Sequence, residues 1–426
     1  MFKKILVANR AIPALRIIRT CRDLSIKTVV PYSEADRNSL PVLLADETIC
    51  IGPAPVLDSY ANISRLIAAA QITDCDAIHP GWGVLGADPE FAEATRDSGI
   101  NFIGAPPELM RLTNDRLGLR NFLKPAGIPL LPGSENPIAT LQQAISECLK
   151  IGLPVAVKPL TDYHRLYRLI TKEKDIEYQI RMFQAEVRAR FGTELVYLEK
   201  HLESARPIDI FVIHRQPVLD WKIASSPNDQ ECIAFTPADI STELRQNLYH
   251  WAESVITKLE FPGGAVIRFL VDHNETAFFS QINCELPSLH PFIEIVTGID
   301  LVEEQIRCIT GGPSLITHPP EPAGIAVFAG NLYLENPGAD FKPSPSTVTD
   351  LLLPSGPHIR VESHLYLGYS IPAEYDQRLA SIFAYAPESM SARLRLLRAL
   401  FETRISGLAT NRDLIISTLR NLSSEN

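Results

Sequence analysis

Paired cysteines are missing from this sequence. Its seven cysteines, at positions 21, 50, 75, 148, 232, 284 and 308, form no CxxC spacing, so neither a disulfide framework nor a zinc motif is suggested and the thiols read as buried. Long hydrophobic runs are missing as well. No apolar stretch approaches the roughly eighteen residues that span a bilayer, and the opening MFKKILVANR lacks the apolar core of a signal peptide, so a cytoplasmic location is expected. Basic runs are also lacking, and the formal net charge of −10 argues against a nucleic acid or an anionic membrane as partner. Protein partners remain. No internal repeat or low-complexity tract stands out. What is present is an ordinary globular composition, 46% apolar and 21% charged over 426 residues, enough for two to four domains.

Along the first part of the chain, short apolar strands alternate with amphipathic helices: KILVA, a helix through Arg16 and Arg19, KTVVPY, DETICIG, ISRLIAAAQI, DAIHP, FAEATRDSG and NFIG. Such alternation predicts a parallel sheet with crossover helices. Ligands of these sheets sit at the carboxyl ends of the strands, so ANR at 8–10 and HPGWG at 79–83 are where a site is sought; both also read as plain turns. After a connector from Asp115 to about Lys150 the texture changes. VYLEK, PIDIFVI, GGAVIRFLV and TAFFSQI are expected to form a mostly antiparallel sheet. A helix over TELRQNLYHWAESVITKLE puts Leu244, Leu248, Trp251, Val255 and Leu259 on one core-facing stripe. The Pro-rich THPPEPAG at 317–324 predicts a boundary before a last region that mixes HIRVESHLY with the helices MSARLRLLRALF and RDLIISTLR.

The ordered phrases KILVANR, ALRIIRTCRDL, YSEADRNSL, LADETICIGPAP, SYANI, DAIHPGWG and EFAEATRDSGINFIG resemble biotin carboxylase, the ATP-grasp subunit or domain of acetyl-CoA carboxylase and related biotin enzymes. The likeness resumes in VTGIDLVEEQIR and HIRVESHLYLGYSIPAEYD and spans essentially the whole chain. It implies an α/β and α+β fold: a Rossmann-like N-terminal domain over 1–113, an ATP-grasp domain over 114–318 with a lid at about 132–203, and a C-terminal α/β domain over 319–426. The implied chemistry is the reaction of ATP with bicarbonate to give carboxyphosphate, whose carbon dioxide is captured by biotin, a step of fatty acid biosynthesis. The chain stops where a free-standing subunit of the family would, so a biotin carrier is expected to be a separate protein.

Several residues that the resemblance assigns to that chemistry are replaced. The segment KPLTDYHRLYRLI follows a strand ending in Lys158, where the family has a glycine-rich phosphate loop, yet it contains no glycine. Pro159 removes a donor amide, Asp162 adds negative charge and Tyr163 adds bulk, which leaves Lys158 as a solvated strand-end lysine. Of the two carboxylates expected to hold magnesium, one is Arg268 and the other Gln281, with Asn283 kept between the same strands. Glu285 stands for an arginine that holds bicarbonate, Leu289 for the general base, and no lysine or arginine remains within IASSPNDQECIAF at 223–235.

Other positions survive. Arg116 replaces an ATP-binding lysine, the adenine-side phrase reads Glu199, Lys200, His201, Leu202, and Arg360 matches the arginine that faces the biotin enolate. Arg116 and Arg360 are equally compatible with ion pairs at the surface or between domains. In the family, dimers form through the N- and C-terminal regions, and Arg16, Arg19 and Asp23 share one helical face here, making them interface candidates. Ile12 and Pro13 replace the polar start of that helix; a proline suits a first helical turn. The expectation is an inactive homologue that needs no cofactor, retains at most weak ATP or ADP binding without magnesium, and pairs as a homo- or heterodimer with an active biotin carboxylase or another acetyl-CoA carboxylase subunit. Two alternatives stand beside it: an active carboxylase rebuilt around Arg116, Lys158, Arg268, Glu285 and Arg360, and a nucleotide sensor that binds through Glu199–Leu202 without turnover.

Overall fold

The computed structural model describes residues 2–161, 166–224, 231–261, 263–316, 324–335 and 346–422. Five strands, β1 (Lys4–Val7), β2 (Lys27–Ser33), β3 (Glu47–Gly52), β4 (Ala77–His79) and β5 (Asn101–Phe102), form a parallel sheet in the order 3-2-1-4-5. Parallel neighbours need crossovers. These run through helices that include Ala11–Asp23, Ile63–Ile72 and Pro89–Asp97. Each start has a local cause: Asn62 accepts from the Arg65 amide, Asp88 accepts from the amides of Glu90 and Phe91 ahead of Pro89, and Pro13 falls in the first turn of Ala11–Asp23. The order reverses around β1. Its neighbours there put Asn9 beside the 80–82 loop, and Asn9 Nδ2 donates to the carbonyls of Pro80 (2.6 Å) and Trp82 (2.9 Å). The two expected strand-end segments thus clasp each other.

The next strands are β6 (Val155–Pro159), β7 (Arg168–Ile170) and β8 (Val196–Lys200), a separate antiparallel sheet of order 7-6-8 backed by helices Leu141–Ile151 and Ile176–Phe191. VYLEK therefore belongs to this small sheet and not to the larger antiparallel one. Buried Val155, Val157, Val196 and Leu198 pack on Ala144, Cys148, Ile180 and Phe183, which gives this small sheet and its two helices their own core. The larger sheet takes β9 (Arg206–Ile213), β10 (Gln216–Ala224), β11 (Ile233–Thr236), β12 (Gly264–Val271), β13 (Ala277–Asn283) and β14 (Ala326–Tyr333). Beyond β14 come the short pairs β15 (Ser346–Thr347) with β18 (Ser370–Ile371) and β16 (Asp350–Leu352) with β20 (Arg404–Ser406), and two further long strands, β17 (Ile359–Ser363) and β19 (Arg378–Ala386). Strand order in the eight-stranded sheet is 13-12-9-10-11-14-19-17, so it continues without a break from the central into the C-terminal region. Residues 317–323 of the expected boundary lie outside the described residues. Helix Thr242–Leu259, capped by Ser241, buries Leu244, Leu248, Val255 and Leu259 against this sheet, with Trp251 half-buried beside Phe269.

One ion network joins three distant segments. Arg16, on the first helix, donates to Glu294 (2.6 Å) and pairs with Asp300 (2.8 Å); Glu294, on helix His290–Thr297, also binds Arg360 of β17 (2.7 Å). Arg360 pairs in turn with Glu362 (2.8 Å), which reaches Arg19 at 3.3 Å. The Arg16 side chain is only 7% exposed and that of Arg19 is 50% exposed. The expected common face of Arg16, Arg19 and Asp23 is thereby corrected: Arg16 turns inward to the buried Glu294 and the half-buried Asp300, while Arg19 and Asp23 stay at the surface. Burial alone would raise the Glu294 pKa, yet the surrounding positive charge, with Arg16 and Arg360 its permanent sources, holds it below the usual range.

Removing one partner of such a buried group strands the other. Arg16→Ala is expected to cost about 3–5 kcal/mol in urea unfolding, and Arg19→Ala no more than about 1 kcal/mol. Equal costs for the two variants would contradict the network as drawn.

Candidate functional site

Between the small sheet and the outer strands β12 and β13 lies a cavity of about 360 Å³. Arg116, Lys158, Glu199, Lys200, Leu202, Arg268 and Gln281 all border it. Residues scattered over some 165 positions of sequence are therefore gathered in one cleft, as the resemblance implies. Asp115 caps helix Arg116–Leu123 by accepting from the Gly118 amide, which fixes Arg116 at the start of that helix. Asp162, Tyr163 and His164, from the glycine-free loop, lie outside the described residues, as do 225–230 of the stretch 223–235.

The charges that face the cleft are largely matched by the protein itself. Lys158 Nζ sits 2.5 Å from Glu199 Oε2, with the two side chains 18% and 12% exposed. The expectation of a solvated lysine is thus corrected. β6 and β8 pair antiparallel with Lys158 opposite Tyr197 and Glu199 opposite Ala156, so that the Lys158 ammonium meets Glu199 diagonally across the strand pair. Lys200 donates to the carbonyls of Gly152 (2.9 Å) and Leu153 (2.8 Å). The backbone amides of Lys200 and His201 are likewise taken, by Pro132 and Pro154.

Arg268 lies opposite Asp209 in the β12–β9 register and opposite Gln281 in the β12–β13 register. Its Nε donates to Asp209 Oδ1 (2.6 Å) and its Nη2 to Asp209 Oδ2 (2.7 Å), a two-pronged bond to a carboxylate that is 3% exposed. Asp209 was not singled out in the sequence. Its signal was there, a lone acid in the apolar run PIDIFVI. The residues here do not fit magnesium: both oxygens of Asp209 are spent on a guanidinium, and Gln281 supplies a neutral amide where an anionic oxygen is needed.

Farther along, Glu285 folds under the 81–87 loop, where the Gly83 amide donates to its Oε2 at 2.6 Å. Gly83 has φ +103, a backbone conformation that favours glycine, and a Cβ on Gly86 would crowd Glu285 Oε2 at 2.8 Å and the Gly81 carbonyl at 3.0 Å. Leu289 is buried in the main core with Phe292 and Ile293, and Trp82 lies against His290 at 5.2 Å between ring centroids. Arg360 is occupied by Glu294 and Glu362. It is the interdomain ion pair named among the sequence alternatives. All seven cysteines are free; Cys50, at the surface, departs from the expectation of buried thiols.

Burial, with Glu231 nearby, pushes the Glu285 carboxyl up to about 8 against the opposing Gly83 amide, although part of the residue still meets solvent. A raised folded-state pKa means that the folded protein holds this proton where the unfolded chain, near 4.5, has lost it. The stability contribution is present at low pH and falls as pH rises between those values. Glu285→Gln should flatten that decline in melting temperature between about pH 5 and about pH 8. An unchanged slope would contradict it.

Comparison with known proteins matches the same architecture. The description "Biotin carboxylase, N-terminal domain" fits residues 1–110, "Carbamoyl-phosphate synthase L chain, ATP binding domain" residues 115–316, and "Biotin carboxylase C-terminal domain" residues 331–425. A biotin carboxylase of Allochromatium vinosum is 36% identical over 428 residues, 99% of this chain and 95% of the relative. The biotin carboxylase–β-γ-ATP complex of Campylobacter jejuni superposes with a TM-score of 0.93 at 32% identity, covering 99% of this chain and 96% of the other. The biotin carboxylase domain dimer of Hydrogenobacter thermophilus 2-oxoglutarate carboxylase, in complex with MgADP, ADP and bicarbonate, gives 0.93 at 28% identity over 99% and 94% of the two chains. Matched from end to end in sequence and in three dimensions, this chain belongs to the biotin carboxylase family.

Proposed function

We propose that the chain is a biotin carboxylase homologue without carboxylation activity, acting in the cytoplasm as a structural or regulatory partner of an active biotin carboxylase or another acetyl-CoA carboxylase subunit. The two-pronged Arg268–Asp209 bond carries this reading, because it puts an internally neutralised cation where the reaction requires a dication to bridge phosphates. Leu289 in the core and Glu285 under the 81–87 loop support it: neither offers a base or an anion-binding charge at the position the chemistry uses. The Hydrogenobacter relative is a dimer. By that likeness a homo- or heterodimer is proposed here, with Arg19 and Asp23 exposed on the first helix as its candidate contacts. The domain limits 1–113, 114–318 and 319–426 are retained as part of the proposal.

A second reading, binding of an adenine nucleotide without turnover, is favoured by the open cavity beside Arg116, Glu199 and Leu202. Relatives in this family bind ATP or ADP in complexes of the same fold. In this chain the phosphates would meet Arg116 and Lys158 without a metal.

ADP release from the purified chain, with ATP, bicarbonate and free biotin, is expected to stay at background. Release that depends on bicarbonate and rises with biotin would overturn the inactive reading and establish a carboxylase with rebuilt ligands. Tagged at its native level of expression, the chain should co-purify with a biotin carboxylase or a biotin carrier subunit; recovery of neither would remove the partner role.

A further inference from the structure

Far from the cleft, three metal-ligating side chains meet. His214 stands at the turn between β9 and β10, with φ +48, and Glu304 and Cys308 are one turn apart on helix Leu301–Thr310. Their donor atoms lie within 4.8 Å of one another. His214 Nε2 is 2.6 Å from Glu304 Oε1, Cys308 Sγ is 3.7 Å from the same oxygen, and Sγ is 3.9 Å from Nε2. No sequence spacing announces this set, since ninety residues separate the histidine from the glutamate.

We propose that His214, Glu304 and Cys308 bind a divalent cation of the zinc class, fastening the β9–β10 hairpin to helix Leu301–Thr310. Bond lengths of about 2.0 Å to nitrogen and oxygen and about 2.3 Å to sulfur place tetrahedral donors roughly 3.3–3.7 Å apart. The two sulfur distances already fall close to that range, and only the His214–Glu304 hydrogen bond has to open, by less than about 1 Å. Thiolate, imidazole and carboxylate together select zinc or cobalt over magnesium.

The outer contacts hold the carboxylate in place. Ser314 Oγ donates to Glu304 Oε1 (2.7 Å) and the Leu315 amide to Oε2 (2.8 Å), so the oxygen pair keeps its orientation when His214 turns to the metal. Access is from the His214 side, which is 30% exposed, whereas the Glu304 side chain is 1% exposed. On binding, the S–H bond of Cys308 breaks and its proton passes to solvent as the sulfur–metal bond forms. The proton held between His214 Nε2 and Glu304 Oε1 also leaves for solvent, the ring keeping or taking one on Nδ1, so that the Nε2 lone pair goes to the metal and water completes the fourth position. No electron transfer is involved.

The test is titration of the metal-free full chain with Co²⁺, reading the sulfur-to-cobalt charge-transfer absorption. One equivalent should produce the band, Cys308→Ser should abolish it, and Cys50→Ser, at the exposed cysteine, should keep it. His214→Ala should weaken cobalt affinity at least ~10-fold. Should Cys308→Ser fail to fold, as judged by circular dichroism, His214→Ala decides by the same measurement. Absence of the band in the unmodified chain, its survival in Cys308→Ser, or an unchanged affinity in His214→Ala would overturn the proposal and leave the three side chains as a hydrogen-bonded cluster.

Discussion

The two hydrogen bonds from Arg268 to Asp209 set the terms for the cleft. A guanidinium on β12 cannot be left bare beside an apolar sheet, and the register of β12 on β9 puts a carboxylate directly opposite it. The pair satisfies both ions and leaves a guanidinium where the resemblance expects a metal-binding carboxylate. At an effective dielectric near 20, a doubly charged ion about 4 Å from a guanidinium is opposed by about 8 kcal/mol. Magnesium would have to displace one side chain or the other, and either choice strands a buried charge.

The same logic recurs at two other cations to which the family resemblance points. Lys158 has Glu199, and Arg360 has Glu294 and Glu362. Glu199 and Glu294 come from a different strand or helix than the cations they pair with, so those charges join elements, while Glu362 lies on β17 with Arg360. Arg360 shows this most fully: through Glu294 and Arg16 it ties β17 to the first helix, across the ends of the chain. Lys158 and Arg268, which border the cleft, and Arg360 are thus paired within the protein itself.

Much of this was legible in the sequence, because periodicity and capping are local. Helix Ile63–Ile72 coincides with ISRLIAAAQI, and β1 to β5 fall on the alternating apolar phrases. The site residues could be named by their order along the chain. What the sequence withheld was partnership. Arg16 looked like a surface residue because helical spacing cannot tell that Glu294 and Asp300, nearly three hundred positions away, face it. VYLEK read as part of the large sheet because a strand's pattern does not name its neighbours. His214, Glu304 and Cys308 carried no motif, since their proximity exists only once a hairpin turn packs on a helix.

The most direct measurement is calorimetric titration of the purified chain with ATP, in the presence and absence of magnesium. The Arg268–Asp209 pair predicts that any binding heat and affinity are the same under both conditions. An affinity that rises with magnesium would show that the pair opens to admit the metal, and the account of a cleft closed by its own charges would fail.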